Sequence, residues 1–543
     1  MFGETHVIMT ALGFRSIAVL AACGAVSMLH AQVKERPLPR LEKKDGRYAL
    51  MVDGAPFLML GAQAHNSSGW PAMLPKVWPA IEYLHANTLE IPIYWEQFEP
   101  REGQFDYTVI DTILAQAREH HTRLDLLWFG TYKNGSQHYM PEWMKLKPDT
   151  YTHLVDKSGH AVDSPSPFCD ASLAADIRAF TAFMRHLKSA DPERTVIIVQ
   201  VENEAGTWGT LRDYSPEAQK LFDGAVPAEV LAAMGKPAGT VNWQEAFGPE
   251  AEVNFHAWAV AKYVGKVAAA GKAVYPLPLY ANAALRDPLK PGAPGSYESG
   301  GPTDNVIPIW KAEAQAIDIV SPDIYMNDPA AYLKVLELYH RDDNPLFVPE
   351  TIGSAGVARF FFSALGLQAI GYSPFGLDYS AVRPAQDGAP GSRDEFLAPT
   401  AQNYKLIAPM MREVARLNFE GKLQAVAEEK GKPTQVLPFG EWSANISYGA
   451  GRGVRTPAGN AETNGRVLVA QLKENEFLVA GYFCTVDFRP ADASKHRQFL
   501  RVEEGSYENG VFKFIRIWNG DETDYGLNFR SDPTVLRMSL GTY

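Results

Sequence analysis

The chain has 543 residues, of which 46% are hydrophobic and 21% are charged, a composition typical of a globular protein. Its length is sufficient for two or three domains. The formal net charge of -12 argues against the basic surface of a nucleic-acid-binding protein, so no nucleic-acid partner is predicted.

The amino terminus has the layout of a secretory signal. Arg15 precedes the apolar run "SIAVLAACGAVSML", which is shorter than the ~20 residues of a membrane-spanning helix. Residues 1–31 are therefore predicted to be a signal peptide that exports the protein to the periplasm or the exterior, with no membrane span. Alternatively, "LAAC" ending at Cys23 resembles a lipoprotein box, which would make the protein an outer-membrane lipoprotein anchored through Cys23.

Short apolar runs alternate with segments of helical periodicity over residues 32–420. The first run follows a hairpin whose turn is Asp53–Gly54. Such alternation predicts repeated βαβ units and a parallel sheet, and eight strands close a (β/α)8 TIM barrel. An open doubly wound sheet is the rival, but it would need a phosphate-binding glycine turn after its first strand, which is absent from the sequence. The predicted strands are 57–62, 88–94, 123–130, 195–201, 274–282, 316–325, 345–350 and 369–375.

The character of the sequence changes near residue 421. Segments such as "LVAGYFCTVDFR" and "GVFKFIRIWNG" are short, aromatic and β-branched, and Gly, Asn and Asp turns separate them. Residues 421–543 are therefore predicted to form a smaller all-β, sandwich-like domain.

Motifs for other chemistries are missing from the sequence. Cys169 and Cys484 are far apart and lack zinc-like spacing, so both are predicted to be buried apolar residues. There is no P-loop, no Gly-x-Ser-x-Gly elbow and no His-Glu-x-x-His. No metal and no organic cofactor are predicted.

Two strand ends carry carboxylates. The fourth strand, "TVIIVQV", is followed by Glu202, Asn203 and Glu204, and the seventh, "PLFVPE", ends at Glu350. In a TIM barrel the carboxyl ends of the strands form the active face. Because side chains alternate along a strand, Glu202 and Glu204 should share a face unless a bulge intervenes. Two facing carboxylates, one protonated and one ionised, are the apparatus of glycoside hydrolysis.

The motif "QVENEAG" (200–206) resembles the signature of glycoside hydrolase family 35, the β-galactosidases, within the clan of (β/α)8 retaining glycosidases. The segment "IPIYWEQFEPREGQFDY" (91–107) is similar to the second-strand region of that family. The resemblance implies that Glu204 is the acid/base, Asn203 binds the sugar 2-hydroxyl and Glu350 is the nucleophile. The chain departs from the signature at Ala205, where an aromatic residue is usual.

The late β domain resembles the accessory domain of a compact bacterial subgroup of that family. Some members of the subgroup act on galactose-bearing xyloglucan side chains. Tyr325 ends the sixth predicted strand, where clan members often carry a Tyr that hydrogen-bonds the nucleophile.

Further polar and aromatic residues at strand ends would complete a sugar pocket, because aromatic faces stack on pyranose rings and amides or carboxylates bind hydroxyls. For the aromatic residues, core packing is the alternative interpretation. Besides Asn203 and Tyr325, the predicted substrate-binding residues are Asn66, Trp95, Glu96, Trp128 and Asn282.

These features together predict a retaining exo-β-galactosidase that takes a carbohydrate substrate, with terminal β-galactosyl residues of plant-type oligo- or polysaccharides as its target. Three alternatives stay open at this level. They are another β-glycosidase of the same clan, a non-catalytic carbohydrate-binding barrel, and an inverting hydrolase with carboxyl groups more than ~6 Å apart.

Overall fold

The computed structural model describes residues 36–380, 394–449 and 456–543. The predicted signal peptide and Cys23 lie outside these residues. A small antiparallel sheet begins the described chain, and its second turn is at Asp53–Gly54, as predicted. Its strands are β1 (Arg40–Lys44), β2 (Arg47–Val52) and β3 (Ala55–Phe57).

Eight parallel strands close a barrel, which confirms the predicted fold class. The first three are β4 (Met59–Gln63), β5 (Thr88–Tyr94) and β6 (Arg123–Lys133). A hairpin of β7 (His153–Val155) and β8 (Ala161–Pro165) lies outside the barrel. The remaining barrel strands are β9 (Val196–Asn203), β10 (Leu279–Ala284), β11 (Ile319–Ile324), β12 (Phe347–Thr351) and β13 (Gly371–Pro374).

Helices surround the barrel and give its strands an apolar outer face, which is why the strands read as continuous apolar runs. The first eight are α1 (Leu74–Leu84), α2 (Trp95–Phe98), α3 (Thr108–Glu119), α4 (Glu142–Lys145), α5 (Asp170–Ala190), α6 (Pro216–Phe222), α7 (Ala228–Ala233) and α8 (Trp243–Phe247). The others are α9 (Ala251–Val274), α10 (Ile307–Glu313), α11 (Pro329–Tyr339), α12 (Ala355–Ala358), α13 (Phe360–Gly366), α14 (Ala398–Ile407) and α15 (Met411–Phe419).

Several predicted strand boundaries differ from the structure by a few residues, and the largest difference is at the start of the fifth strand. The fifth strand was expected to begin at residue 274, but Val274 ends helix α9 and β10 begins at Leu279. Pro276 and Pro278 explain the difference, because proline has no N–H to donate to a strand ladder. No helix within the described residues is long and apolar enough to cross a membrane.

The two ends of the barrel differ in character. Leu50 and Val52 of the small amino-terminal sheet belong to the same apolar cluster as Leu127, Ile198 and Phe347, which point into the barrel. This cluster closes the end at which the strands begin. The carboxyl end, called the mouth below, is therefore the open end.

Residues after α15 form two antiparallel sheets, which confirms the predicted all-β C-terminal region. One sheet has six strands in the order β14-β17-β18-β23-β20-β21, and the other has four in the order β15-β16-β19-β22. The strands are β14 (Leu423–Ala427), β15 (Thr434–Phe439), β16 (Trp442–Ser447), β17 (Arg466–Lys473), β18 (Glu476–Tyr482), β19 (Cys484–Pro490), β20 (Arg497–Glu508), β21 (Val511–Ile517), β22 (Leu527–Phe529) and β23 (Thr534–Thr542).

Apolar side chains from both sheets share one core, so the region is a β-sandwich. Phe477 of β18 is fully buried in this core, with its ring centroid 5.6 Å from that of Phe439 and 4.8 Å from that of Phe488. Phe439 and Phe488 belong to the opposite sheet. Both Cys169 and Cys484 are free and buried, as predicted.

We expect Phe477→Ala to destabilise the sandwich by about 3–5 kcal/mol, because it removes a ring that bridges the two sheets and leaves a cavity. The measurement is the unfolding midpoint in denaturant. The matched control is Phe514→Ala on β21, where the side chain is 54% exposed and its loss should change stability by no more than about 0.5 kcal/mol. Equal midpoints for the two variants would contradict the packing described here.

Candidate active site

The end of strand β9 makes a sharp turn that presents Glu204 at the mouth. Glu202 and Glu204 have positive φ angles of 64° and 45°. Non-glycine residues seldom adopt such angles, and they persist only where the surroundings impose them. Two hydrogen bonds from the loop after β6 hold this turn. The backbone N–H groups of Asn134 and Gly135 donate to the carbonyls of Asn203 and Glu204 at 3.0 and 2.9 Å, respectively.

A side chain from the neighbouring strand fixes the same turn. The backbone N–H of Glu204 donates to Oδ1 of Asn282, on β10, at 2.9 Å. The other end of that amide donates from Nδ2 to Oδ2 of Asp323, on β11, at 2.6 Å. Asn282 therefore connects three adjacent strands and holds the Glu204 backbone in place.

Glu350, on strand β12, is held through both carboxylate oxygens. Nε2 of Gln63 donates to Oε2 at 3.0 Å, and the hydroxyl of Tyr325 donates to Oε1 at 2.5 Å. Two hydrogen bonds, one to each oxygen, fix the direction of the carboxylate.

Positions 204 and 350, far apart in the chain, meet across the mouth. Oxygen atoms of Glu204, Asp323 and Glu350 all lie within 4.8 Å of one another. Glu204 and Glu350 are each only 7% exposed, and Nδ2 of Asn134 donates to Oε2 of Glu204 at 2.7 Å. The predicted pair of facing carboxyl groups is thus present in one nearly enclosed site.

The environment separates the proton affinities of these groups. Burial, and then the nearby charge of Glu350, raise the pKa of Glu204 to about 7, while the ammonium group of Lys133 opposes the shift. Burial and the charges of Glu350 and Glu204 raise the pKa of Asp323 well above its usual range. Asp323 therefore holds a proton more tightly than a free carboxyl group does, and Glu204 can both release and accept a proton near neutral pH.

Glu202 does not share a face with Glu204, because the turn with positive φ angles breaks the alternation of side chains along β9. The pairing of β6 with β9 shifts register between Trp128 and Lys133. Oε2 of Glu202 accepts a hydrogen bond from the backbone N–H of Tyr132 at 2.7 Å. Burial raises the pKa of Glu202 and of its neighbour Asp176, and the charge of Asp176 raises that of Glu202 further.

Three of the predicted sugar-binding residues lie in the site: Asn203, Asn282 and Tyr325. Oδ1 of Asn203 accepts a hydrogen bond from Nζ of Lys133 at 2.8 Å, and its buried Nδ2 has no protein partner. Tyr325 is 47% exposed although its hydroxyl is bonded to Glu350, so its ring borders the open mouth.

The structure does not bring Trp128 or Trp95 into the site, so their prediction as substrate-binding residues was wrong in position. Leu127 and Phe129 point into the barrel, which turns Trp128 outward, where its Nε1 donates to Asp176 at 3.0 Å. Trp95 begins helix α2, and its Nε1 donates to Glu99 at 2.8 Å. Both rings are completely buried between the barrel and its helices.

Glu96 lies on helix α2, which follows β5, and Asn66 lies on a loop. Glu96 is exposed, and its carboxylate is 3.5 Å from Nζ of Lys145. Asn66 is half-buried in the loop that follows β4. Neither is placed by the structure at the carboxyl pair, and their role in binding stays a prediction.

The sequence analysis missed several residues of the site. Gln63 and Asp323 lie at the ends of β4 and β11. A search for polar residues that end or follow apolar runs could have identified both. The others are Lys133 and Asn134, which lie beyond the predicted end of the third strand, and Glu298, a fully buried glutamate of the β10–α10 loop.

The three carboxyl groups would also suit the spacing of oxygens around a cation. An acidic cluster alone does not establish a metal site, and Asp323 and Glu350 already have protein donors on their oxygens. We assign no metal to the cluster, and the expectation of none stays a prediction.

Comparisons with known proteins give two matches to family models. A model described as "Beta-galactosidase" (glycoside hydrolase 42) matches residues 80–273, and a model described as a domain of unknown function (DUF5597) matches residues 400–530. No curated protein matches the sequence. The matched family belongs to the same clan as glycoside hydrolase family 35 but is a different family, so the comparisons do not support the assignment to family 35.

Among solved structures, the β-galactosidase from Bacillus circulans sp. alkalophilus is similar with a TM-score of 0.50 and 11% identity, over 89% of this chain and 99% of that one. The β-galactosidase from Rahnella sp. R3 gives 0.47 and 16%, over 66% and 58%. The catalytic domain of β-amylase from Paenibacillus polymyxa gives 0.46 and 12%, over 63% and 96%. The chain thus has a TIM barrel with an all-β C-terminal region, and its residues 80–273 match a family model of β-galactosidases.

Proposed function

We propose that the protein is a retaining exo-β-galactosidase. The observation that carries the proposal is the convergence of Glu204 and Glu350, whose oxygen atoms lie within 4.8 Å of each other in a nearly enclosed mouth. One of the two groups has a pKa of about 7, and the other is bonded through both oxygens. Glycoside hydrolysis by double displacement needs one carboxyl group of each kind.

In the first step, the ionised Glu350 attacks the anomeric carbon, and the bond to the leaving oxygen breaks. Glu204 donates its proton to that oxygen, so the alcohol leaves in neutral form. The product is a galactosyl group esterified to Glu350, with Glu204 ionised.

In the second step, Glu204 acts as the base. It removes a proton from water, and the oxygen of that water attacks the anomeric carbon as the bond to Glu350 breaks. Glu350 returns to its ionised state, and Glu204 is protonated again. Two displacements at one carbon give net retention of configuration.

The spacing of the carboxyl groups favours this mechanism over the inverting alternative. An inverting enzyme needs about 6.5–9.5 Å between them to admit a water molecule, whereas a retaining enzyme needs about 5–5.5 Å. One oxygen of Glu204 and one oxygen of Glu350 lie within 4.8 Å of each other, a close approach that supports the shorter separation. Intact, converging carboxyl groups also speak against a barrel that only binds carbohydrate.

The sugar is inferred less directly than the chemistry. The match of residues 80–273 to a β-galactosidase model supports galactose. Placement in family 35, and with it the choice of plant oligo- or polysaccharides such as xyloglucan side chains, rests on the motif at 200–206 and on the resemblance of the late β domain. Export through the predicted signal peptide is part of the same proposal.

We expect Glu350→Gln to lower the turnover of an aryl β-galactoside by at least about 10⁴-fold, because an amide cannot form the glycosyl ester. Turnover is measured by release of the aryl group, with aryl glucosides, mannosides and arabinosides as competing substrates. The matched control is Glu337→Gln on α11, an exposed glutamate paired with Lys334, which should be nearly as active as the wild type. Hydrolysis by Glu350→Gln at a normal rate would refute the assignment.

The pH profile of kcat/KM should have its basic limb near pH 7, because Glu204 must carry a proton in the first step and its pKa is about 7. Activity is therefore lost as the pH rises through that value. The profile is measured with a galactosyl disaccharide. An aryl galactoside with a strongly acidic leaving group needs less protonation and serves as the internal control. A disaccharide profile that stays flat above pH 7 would contradict the role of Glu204.

Proton NMR of the first product should show β-galactose before mutarotation produces the α-anomer, because two displacements preserve the configuration. The spectrum is recorded within the first minutes of a reaction at high enzyme concentration. Galactose incubated with the Glu350→Gln variant gives the background rate of mutarotation. Initial appearance of α-galactose would establish the inverting alternative.

A further inference from the structure

Lys133 is a buried lysine at the end of strand β6 and is only 5% exposed. Burying an ammonium group is unfavourable unless other groups compensate for the lost water. The position is also three residues beyond Gly130, past the apolar run of the strand. The contacts of Lys133 show what compensates for the burial of its charge.

Its ammonium group holds two amides that border the carboxyl pair. Nζ donates to Oδ1 of Asn203 at 2.8 Å and also donates to Oδ1 of Asn134. Lysine has donors but no acceptor, so each amide must turn its oxygen toward Nζ and its NH2 group away. The ring of Phe129 lies beneath the ammonium group, with its centroid 5.1 Å from Nζ.

The orientation of both amides has a consequence in the site. Nδ2 of Asn134 donates to Oε2 of Glu204 at 2.7 Å, so a chain of hydrogen bonds runs from Lys133 through Asn134 to Glu204. Nδ2 of Asn203 is buried and has no protein partner, which leaves it available to a ligand. Rotation of either amide would place an oxygen where a donor now stands.

Within the described residues, ionisable side chains on four neighbouring elements lie around Glu204. These are Lys133 on β6, Glu298 on the β10–α10 loop, Asp323 on β11 and Glu350 on β12. Burial, and then the charge of Glu204, raise the pKa of Glu298 well above its usual range, while Lys133 lowers it. Lys133 acts in the same direction on Glu204 and Asp323. The ammonium group of Lys133 thus offsets part of the negative charge of the acidic groups around Glu204.

We propose that Lys133 is a positioning residue for the acid/base group: it orients the amides of Asn134 and Asn203 and supplies the buried positive charge beside Glu204. This inference rests on the proposed function, in which Glu204 is the acid and base. It assigns Lys133 no contact with the substrate. A purely structural lysine would affect folding and the amount of active enzyme but not the proton affinity of Glu204.

The experiment compares Lys133→Met, Lys133→Arg and Lys311→Met by their pH profiles of kcat/KM on a galactosyl disaccharide. Lys311 is the matched control, because it is also a partly buried lysine, with Nζ 3.5 Å from Oδ1 of Asn344. It precedes β11 near the opposite end of the barrel, where Nζ donates to the carbonyl of Asp318.

We expect Lys133→Met to move the basic limb upward by about one pH unit or more, because loss of a nearby positive charge raises the pKa of Glu204. The optimum value of kcat/KM should fall by about 10²-fold as the amides lose their orientation. Lys133→Arg keeps the charge, and Lys311→Met leaves the site untouched, so both should keep the limb near its wild-type position. A Lys133→Met limb that stays in place or moves downward overturns the inference, whatever the loss of activity.

A second variant covers the case in which Lys133→Met does not fold. Asn134 is exposed, so Asn134→Ala should fold, and it breaks the link between Lys133 and Glu204. We expect at least a 10-fold loss of kcat/KM on the disaccharide and a smaller loss on an aryl galactoside with an acidic leaving group. Wild-type kinetics on both substrates would overturn the positioning role.

Failure of the proposed function is distinguished by a measurement that needs no activity. NMR of protein labelled with ¹³C at glutamate carboxyl groups follows the titration of Glu204, whose signal is the one missing from Glu204→Gln. If the wild type hydrolyses no glycoside, the proposed function fails, but Lys133→Met should still raise the Glu204 titration midpoint. An unchanged midpoint overturns the inference about Lys133 independently.

Discussion

The burial of several carboxyl groups around one lysine is the constraint on which the site depends. The charge of Lys133 acts on Glu204, Glu298 and Asp323, and Glu350 lies close to Glu204 and Asp323. All four acids are at most 7% exposed. They cannot all be ionised, because burial and mutual repulsion disfavour the charged forms. Burial and nearby charges raise the pKa of Asp323 and of Glu298, while two donors hold the carboxyl group of Glu350 in place. The pKa of Glu204 is raised to about 7, and a proton affinity in this range is what an acid/base residue requires.

Backbone strain at the end of β9 directs two adjacent acids to different surroundings. An undistorted strand would point Glu202 and Glu204 to the same face. Their positive φ angles instead turn Glu204 to the mouth and Glu202 toward Asp176 and the backbone of Tyr132. Such angles cost of order 1–3 kcal/mol each, and hydrogen bonds from the β6 loop and from Asn282 impose them. The strain lies where it separates the Glu202–Asp176 pair from the pair of carboxyl groups proposed to be catalytic.

The barrel could be predicted because strands that are buried on both faces read as apolar runs, and all eight runs correspond to barrel strands. Glu204 and Glu350 could be placed because each follows such a run. Side-chain direction could not be inferred, which is why Trp128 was assigned to the pocket although it faces the helices. Lys133 lies past the end of the apolar run of its strand, and its importance depends on contacts with Asn134 and Asn203 that no local pattern reveals.

The sequence motif resembles one family, and the matched family model describes a different family of the same clan. The two carboxyl groups proposed to be catalytic, Glu204 and Glu350, are both present at the mouth. The sequence differs from the motif at Ala205, which is 2% exposed and packs in the hydrophobic core. This difference therefore affects core packing and not the atoms that face the cavity. The next residue, Gly206, tolerates no side chain, because a Cβ atom there would lie 2.4 Å from Cγ of Glu298. The glycine of the motif is therefore required by the buried acid beneath it, and that requirement links the β9 turn to the charge balance of the mouth.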